Sequence, residues 1–317
     1  VAAAGARRYW LIWLGVVPVV LWAIVRSLGL EGDTVLVPLI AFTPYALIVA
    51  FFVAGIAVAL RNWAAATVAA IATLCLAAAV LPRAVGDGTV DPAGRETLAV
   101  VSANIHRGTA DPAALVALVD RFQPDLFAVQ ELTPGFVREL AAAGLERRLP
   151  HHILVVFPGS PKMPGVGIYS RLPLDQLGPS STDFVGAAVR MPGGRLVRVM
   201  DFHPHTPKPG HIGQWRHSLE GLPSAGSGAP WVVVGDFNAT LDQVELRDVI
   251  DRGYRDAGDV AGKGLEMTFP RRGWHDLGPF IAIDHVLADE RLGIAEYSVA
   301  EQPGSDHRAI QAVLVLP

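Results

Sequence analysis

The chain has 317 residues, 51% of them apolar and 18% charged, with a mean hydropathy of +0.37 and a formal net charge of −4. This composition excludes a disordered segment, which lacks apolar side chains to bury, and a nucleic-acid binder that works by bulk positive charge. The single cysteine, Cys75, excludes an intrachain disulfide framework.

The apolar excess lies at the front. Tyr9–Val25, Thr34–Leu60 and Trp63–Leu81 are runs without an ionised side chain, each near the roughly 20 residues that a bilayer-spanning helix needs. Trp10, Trp13, Tyr45 and Trp63 sit toward run ends, where amphipathic rings favour the membrane interface. Residues 1–81 are therefore expected to form a three-helix transmembrane anchor that meets the lipid bilayer through residues 9–81. Arg7, Arg8 and Arg61 against Glu31 and Asp33 predict a cytoplasmic N-terminus, so three crossings leave the remainder outside, on a multi-pass protein of the cell membrane. Arg26 and Arg83 oppose that count and are expected to snorkel from helix ends.

Residues 82–96, "PRAVGDGTVDPAGRE", read as a linker, and a second domain is expected over 97–317. Residues 1–90 hold five basic and three acidic side chains, which leaves 21 basic and 27 acidic for the rest, an acidic domain. "TLAVVSANI" (97–105) predicts a strand, "DPAALVALVDRF" (111–122) a helix with Asp111 at its N-cap and Pro112 at its first position, and "DLFAVQE" a second strand. Further strands are expected over 152–157, 165–170, 187–191, 195–203, 231–238, 282–288 and 308–316, and helices over 211–221 and 242–252. Many strands with few helices predict a mixed α/β sandwich rather than a doubly wound sheet.

Polar residues recur where these strands end or pause: Asn104, Glu131, His203, Asp236 with Asn238, Asp284, and Asp306 with His307. One Asn or Asp after a strand is ordinarily a turn former. Their joint occurrence in order is another matter. The stretches "SANIHRG" (102–108), "VQEL" (129–132), "GVGIYSRLPL" (165–174), "DFHP" (201–204), "GDFNAT" (235–240), "IDHVL" (283–287) and "GSDHRA" (304–309) resemble the endonuclease/exonuclease/phosphatase superfamily over about two thirds of the chain. The resemblance implies an α/β fold, a four-layer α/β sandwich of two packed mixed β-sheets flanked by helices, with the site along one shared edge. Ala309 stands where a proline is common, and "IAIDHVL" lacks the Cys-Asp-Arg motif of inositol-polyphosphate phosphatases.

If these strand ends converge, Glu131, Asp236, Asp284 and Asp306 crowd one cleft, and two carboxylates 4 Å apart repel by about 4 kcal/mol at an effective dielectric near 20. A hard divalent cation, Mg²⁺ or Mn²⁺, suits such an oxygen-rich set. Zinc is disfavoured because the histidines show no HExxH-like spacing. The resemblance puts the metal on Glu131, with Asn104 and Asp306 nearby. His307 is the expected base, with Asp284 as its family partner fixing the tautomer. Asp236 is expected to orient the water or assist the leaving group, Asn238 to hold the water or a phosphoryl oxygen, and His203 to donate to the developing phosphorane. The sequence leaves open whether His307 or Asp236 takes the proton.

Other polar residues are read more plainly. His205, His211 and His217 are expected on the surface or on a helix, His285 on the face opposite Asp284, and Arg171 in a structural role as readily as a functional one. His106 and Arg107 are candidates for the cleft lining. Arg271, Arg272 and Trp274, just ahead of Asp284, are candidates to grip a phosphate, a base or a lipid headgroup. The expectation is a metal-dependent phosphoesterase, a phosphodiesterase acting on DNA or a phospholipid headgroup. A catalytically silent membrane-bound receptor or scaffold that retains the fold would show lost ligands, and every motif position is filled.

Overall fold

The computed structural model describes residues 10–157, 159, 163–270 and 278–317. Among the described residues four apolar helices lead the sandwich: α1 (Trp13–Leu28), the short α2 (Leu36–Ile40), α3 (Thr43–Ala59) and α4 (Trp63–Val80). Helix α4, continued by a 3₁₀ turn over Leu81–Ala84, is long and apolar enough to cross a membrane over Trp63–Ala84. The other two long helices have 16 and 17 residues and fall short, so the expectation of three spans is corrected to one among the described residues. The reason is local. Gly29, in the left-handed conformation, ends α1, and a turn at Ala41–Phe42 followed by Pro44 splits the second run into α2 and α3.

The remainder folds as β1 (Thr97–Asn104), α5 (Pro112–Phe122), β2 (Leu126–Leu132), α6 (Pro134–Ala143), β3 (His151–Val155), β4 (Gly165–Ser170), β5 (Leu174–Gln176), β6 (Phe184–Arg190), β7 (Leu196–Phe202), α7 (Ile212–Glu220), β8 (Trp231–Asp236), α8 (Val244–Ile250), β9 (Tyr254–Asp256), α9 (Ala257–Val260), β10 (Asp284–Asp289), β11 (Gly293–Ala300) and β12 (Ala309–Val315). Asp111 caps α5 from its side chain with Pro112 at the first position, as the sequence predicts. Helices α6 and α9 and strands β5, β9 and β11 are elements that the sequence does not announce.

Two six-stranded sheets result, ordered β11-β12-β1-β2-β4-β3 and β5-β6-β7-β8-β10-β9. Each is mixed: β1 runs parallel to β2 and β7 parallel to β8, while the other pairs are antiparallel. Side chains alternate along a strand, so one parity of positions fills the space between the sheets. Leu98 and Val100 of β1, Leu126 and Ala128 of β2, Val197 and Val199 of β7, Val232 and Val234 of β8, and Val286 and Ala288 of β10 are buried there. Each fully buried Val or Leu contributes about 1.5–3 kcal/mol against an exposed one. The opposite parity packs under helices: Val101, Phe127 and Val129 beneath α5 and α6, and Val233, Phe237 and Leu287 beneath α7 and α8. Four layers follow from two periodicities.

Residues 82–96 lie on the sandwich. Asp87 N donates to Val260 O and Val90 N to Ile294 O, at 3.2 and 2.9 Å. Arg83, 6% exposed, forms a bidentate pair with Asp242 at 2.7 and 2.9 Å, and Arg26 Nε reaches the same carboxylate at 3.3 Å. Both arginines expected to snorkel are thus consumed by an aspartate of the sandwich.

Candidate active site

The parity that fills the core also builds the site. Following each inward stripe toward one end of the sandwich, apolar side chains give way to polar ones: Ser102 and Asn104 on β1, Gln130 on β2, Asp201 on β7, Asp236 on β8 and Asp284 on β10, all buried. Strands β8 and β10 pair with Asp236 directly opposite Asp284. Gly235 permits this edge: it sits at φ +144°, and a Cβ there would meet Phe202 O at 2.2 Å.

Glu131 breaks the parity. By alternation it would face α6, yet the β2–β4 register shifts between Gln130 and Leu132, and Glu131 has a left-handed φ of +57°. The bulge turns its carboxylate back into the cleft, a re-aiming that such irregularities serve. Asn104 Nδ2 donates to Glu131 Oε1 at 3.3 Å and to Asp236 Oδ2 at 2.9 Å, while Asn104 Oδ1 accepts from His106 N at 3.0 Å. His203 Nε2 stands 3.8 Å from Glu131 Oε1 and 3.6 Å from Asp236 Oδ2. Asn238, also left-handed at φ +49°, donates its backbone N–H to Asp236 Oδ1 at 2.8 Å and its amide to Pro204 O at 3.1 Å.

His307 completes the cluster. Its Nδ1 lies 3.0 and 3.2 Å from the two oxygens of Asp284, and its Nε2 lies 3.6 Å from Asp236 Oδ2. Phe269 packs on the ring at 4.7 Å between centroids. Burial opposes a charged imidazole, but Asp284 and then Asp236 outweigh it and hold the His307 pKa up to about 10. Burial pushes the Asp236 carboxyl up, against the pull of His307. Asp306 is more peripheral, with Oδ1 3.4 Å from His106 Nδ1.

Asn104, Glu131, His203, Asp236, Asn238, Asp284, Asp306 and His307 therefore gather at one edge, around a cavity of about 480 Å³ that all but Asn104 and Asp284 line directly. His106 and Arg107 line it as well, and so do His205 and His211, which the sequence reading leaves on the surface. His285 faces away, bonded to Asp256 and to Ala239 O, and Arg171 Nη2 donates to Gln123 O in a structural contact. Arg271, Arg272 and Trp274 lie outside the described residues.

The sequence reading also passes over the supports. Gln130 Nε2 donates to Ser102 Oγ at 3.0 Å and to Asp201 Oδ1 at 2.6 Å, and Gly167 N donates to Asp201 Oδ2 at 3.0 Å, a buried network joining the two sheets behind Glu131. Gln302 and Ser305 clamp Asn104 O at 2.8 and 2.7 Å. The signal for Asp201 was available: it stands two residues before His203, on the inward parity.

Two groupings bear on a metal. Asp236, Asp284 and His307 offer ligand atoms within 4.8 Å of one another, but there the imidazole already stands between the two carboxylates, Nδ1 toward Asp284 and Nε2 toward Asp236. Glu131 differs, since its Oε2 is buried and without a hydrogen-bond partner among the described residues, the nearest cation being Arg107 Nε at 3.7 Å. An orphaned carboxylate oxygen among other oxygen donors fits a hard divalent cation.

A family profile described as the Endonuclease/Exonuclease/phosphatase family matches residues 101–307. No curated protein matches. Among solved structures, an endonuclease/exonuclease/phosphatase from Beutenbergia cavernae DSM 12333 is 19% identical at a TM-score of 0.51, with 70% of this chain and 72% of that one covered. Humanised D. rerio TDP2 carrying 14 mutations is 18% identical at 0.53, covering 69% and 98%. D. rerio TDP2 complexed with a single-strand DNA product is 17% identical at 0.52, also covering 69% and 98%. At these identities the likeness speaks for the fold, two packed mixed sheets flanked by helices. The matched family consists largely of divalent-metal-dependent phosphoester hydrolases. With the profile spanning most of the sandwich, this chain belongs to the endonuclease/exonuclease/phosphatase family.

Proposed function

We propose that the chain is a Mg²⁺- or Mn²⁺-dependent phosphodiesterase whose substrate is DNA or a phospholipid headgroup ester. The observation that carries this reading is the Glu131 carboxylate, turned inward by a bulge, with one buried oxygen unpaired beside Asp236, His203 and His307. Glu131 would hold the divalent ion, with Asp306 and Asn104 beside it, and the ion would supply positive charge to the phosphate oxygens and acidify water. His307 enters the reaction as the imidazolium, its proton held by Asp284. Asp236, whose Oδ1 is fixed by Asn238 N, orients the attacking water and accepts its proton as the water oxygen bonds to phosphorus, while the ester P–O bond in line with it breaks and the leaving oxygen takes a proton from solvent. His203 and His307 donate to phosphoryl oxygens as charge builds on them, and Asp284 keeps the His307 ring in place. Asn238 fixes the loop after β8 through Pro204 O, so its amide acts on the site's shape as well as on substrate.

In the same reading the activity sits at a membrane, with the sandwich outside the cytoplasm. Exposed Trp10, Leu14, Phe51, Phe52 and Leu74 support contact of the helices with lipid, and the charge bias of the sequence supports the orientation. Protease accessibility of the sandwich in intact cells tests the side, and protection until the cells are opened would reverse it. The activity is tested on the full chain in detergent with bis(p-nitrophenyl) phosphate, supercoiled DNA and sphingomyelin. Hydrolysis that needs divalent metal and stops with chelator is expected. Hydrolysis insensitive to chelator, or none of any ester, defeats the reading.

A further inference from the structure

We propose that the cavity holds a second phosphoryl group of the substrate, beyond the scissile one, on the shelf formed by residues 203–211, with His205, Lys208 and His211 as its donors. This rests on the phosphoesterase reading above. At about 480 Å³ the cavity is far larger than one phosphate requires, since a water molecule occupies only about 30 Å³ of liquid. Past His203 its lining continues through Pro204, His205, Thr206, Lys208 and His211, with Asp183 across from them.

The shelf is rigidly tied to the reacting edge. Prolines at 204, 207 and 209 restrict "HPHTPKPGH", Asn238 donates to Pro204 O, and His211 N donates to Lys208 O at 2.9 Å. His205 Nδ1 lies 3.4 Å from Asp183 Oδ2, and His211 Nδ1 lies 2.9 Å from Gln214 Oε1, contacts that hold the two rings in place. The two rings stack at 5.8 Å and 13°. Neither Nε2 has a hydrogen-bond partner among the described residues, and Lys208 has no ion pair there. Two parallel imidazoles with unpaired Nε2 atoms and an ammonium beside them line the same cavity and suit an anion.

The test uses the full chain in detergent with Mg²⁺ and a matched pair, thymidine 5′-(p-nitrophenyl phosphate) with and without a 3′-phosphate. The 3′-phosphate is expected to raise kcat/KM by about tenfold or more through KM, since charge-assisted bonds are the strong ones. In His205→Ala/Lys208→Ala/His211→Ala the advantage disappears while the ester lacking the 3′-phosphate is cleaved as before, and Lys208→Glu alone turns the advantage into a penalty. Equal kcat/KM for the pair in the parent protein, or an advantage that survives the triple variant, overturns the subsite. Bis(p-nitrophenyl) phosphate separates the failures. If the parent cleaves it and the pair shows no difference, the subsite alone falls; if the parent cleaves no ester, the phosphoesterase reading falls and takes the subsite with it. A 3′-phosphorylated dinucleotide and a phosphoinositide, each against its dephosphorylated parent, then tell a nucleic-acid source of the second phosphate from a lipid one.

Discussion

His307 keeps its proton because buried carboxylates face both ring nitrogens, Asp284 at Nδ1 and Asp236 at Nε2. Its folded pKa is about 10 against 6.5 for the free side chain. The stability it contributes is therefore complete below pH 6.5 and lost as pH rises through 10, on the order of a few kcal/mol. With chelator present, the denaturant midpoint of the wild type should fall from pH 7 to pH 10, and Asp284→Asn should flatten that fall. Equal slopes in the two proteins would dissociate Asp284 from the histidine's charge. The catalytic counterpart is sharper: His307→Ala and Asp236→Asn should each lower kcat by about 100-fold or more at pH 7.5 with Mg²⁺, with the far-UV spectrum unchanged. Retention of turnover within a few fold would remove them from the chemistry.

A strand's alternation explains how much of the site was legible. Asn104, His203, Asp236 and Asp284 could be read because they prolong stripes that the sequence shows as apolar, and His307 because it precedes β12 in a recognisable "SDH". Glu131 was legible as a strand-end carboxylate, but its turn into the cleft was not, since that depends on a bulge and a left-handed φ that no pattern of two reveals. The cavity role of His205 and His211 was illegible because it depends on how an irregular, proline-rich segment folds back over the edge. Asp201 was within reach of the alternation, but its protonation is set by burial that the alternation does not measure. Burial pushes its carboxyl up to about 7, although Gln130 and backbone N–H groups pull the other way. A raised carboxyl stabilises fully below its unfolded value near 3.8 and loses that contribution as pH rises through 7, so the difference in unfolding free energy between wild type and Asp201→Asn should move against the wild type from pH 4 to pH 7. Urea midpoints measured at both pH values give the sign, and a difference that does not move would mean Asp201 is ionised throughout. Gln130→Leu strips that carboxyl of a 2.6 Å donor and is expected to cost about 1–3 kcal/mol.

At the scale of the whole molecule, the sequence shows an apolar front, a polar stretch and a sandwich, and it suggests that the parts are separable. The contacts argue otherwise. Val37 of α2 joins the apolar layer under α7 and α8, Gln243 Nε2 donates to Val37 O, Tyr45 OH donates to Phe280 O, and Arg216 pairs with Asp33. Charges that counted for or against a membrane topology are engaged with the sandwich, which charge counting along a chain cannot foresee. The joint centres on Asp242, 1% exposed, four residues after Asn238 and gripped by Arg83 and Arg26. Arg83→Met leaves the buried Asp242 carboxylate with Arg26 alone, at 3.3 Å, and is expected to destabilise the full chain by about 1–3 kcal/mol. Arg26→Met/Arg83→Met/Asp242→Leu, which removes all three charges, should recover much of that loss, because the cost lies in the under-compensated carboxylate more than in the absent attraction. The same carboxylate sits on the loop that carries Asn238, so Arg83→Met should also lower kcat while the triple variant restores part of it. Thermal unfolding and bis(p-nitrophenyl) phosphate turnover of the three proteins decide the matter: an Arg83→Met chain as stable and as active as the parent would mean that the Asp242 cluster does not tie the helices to the sandwich.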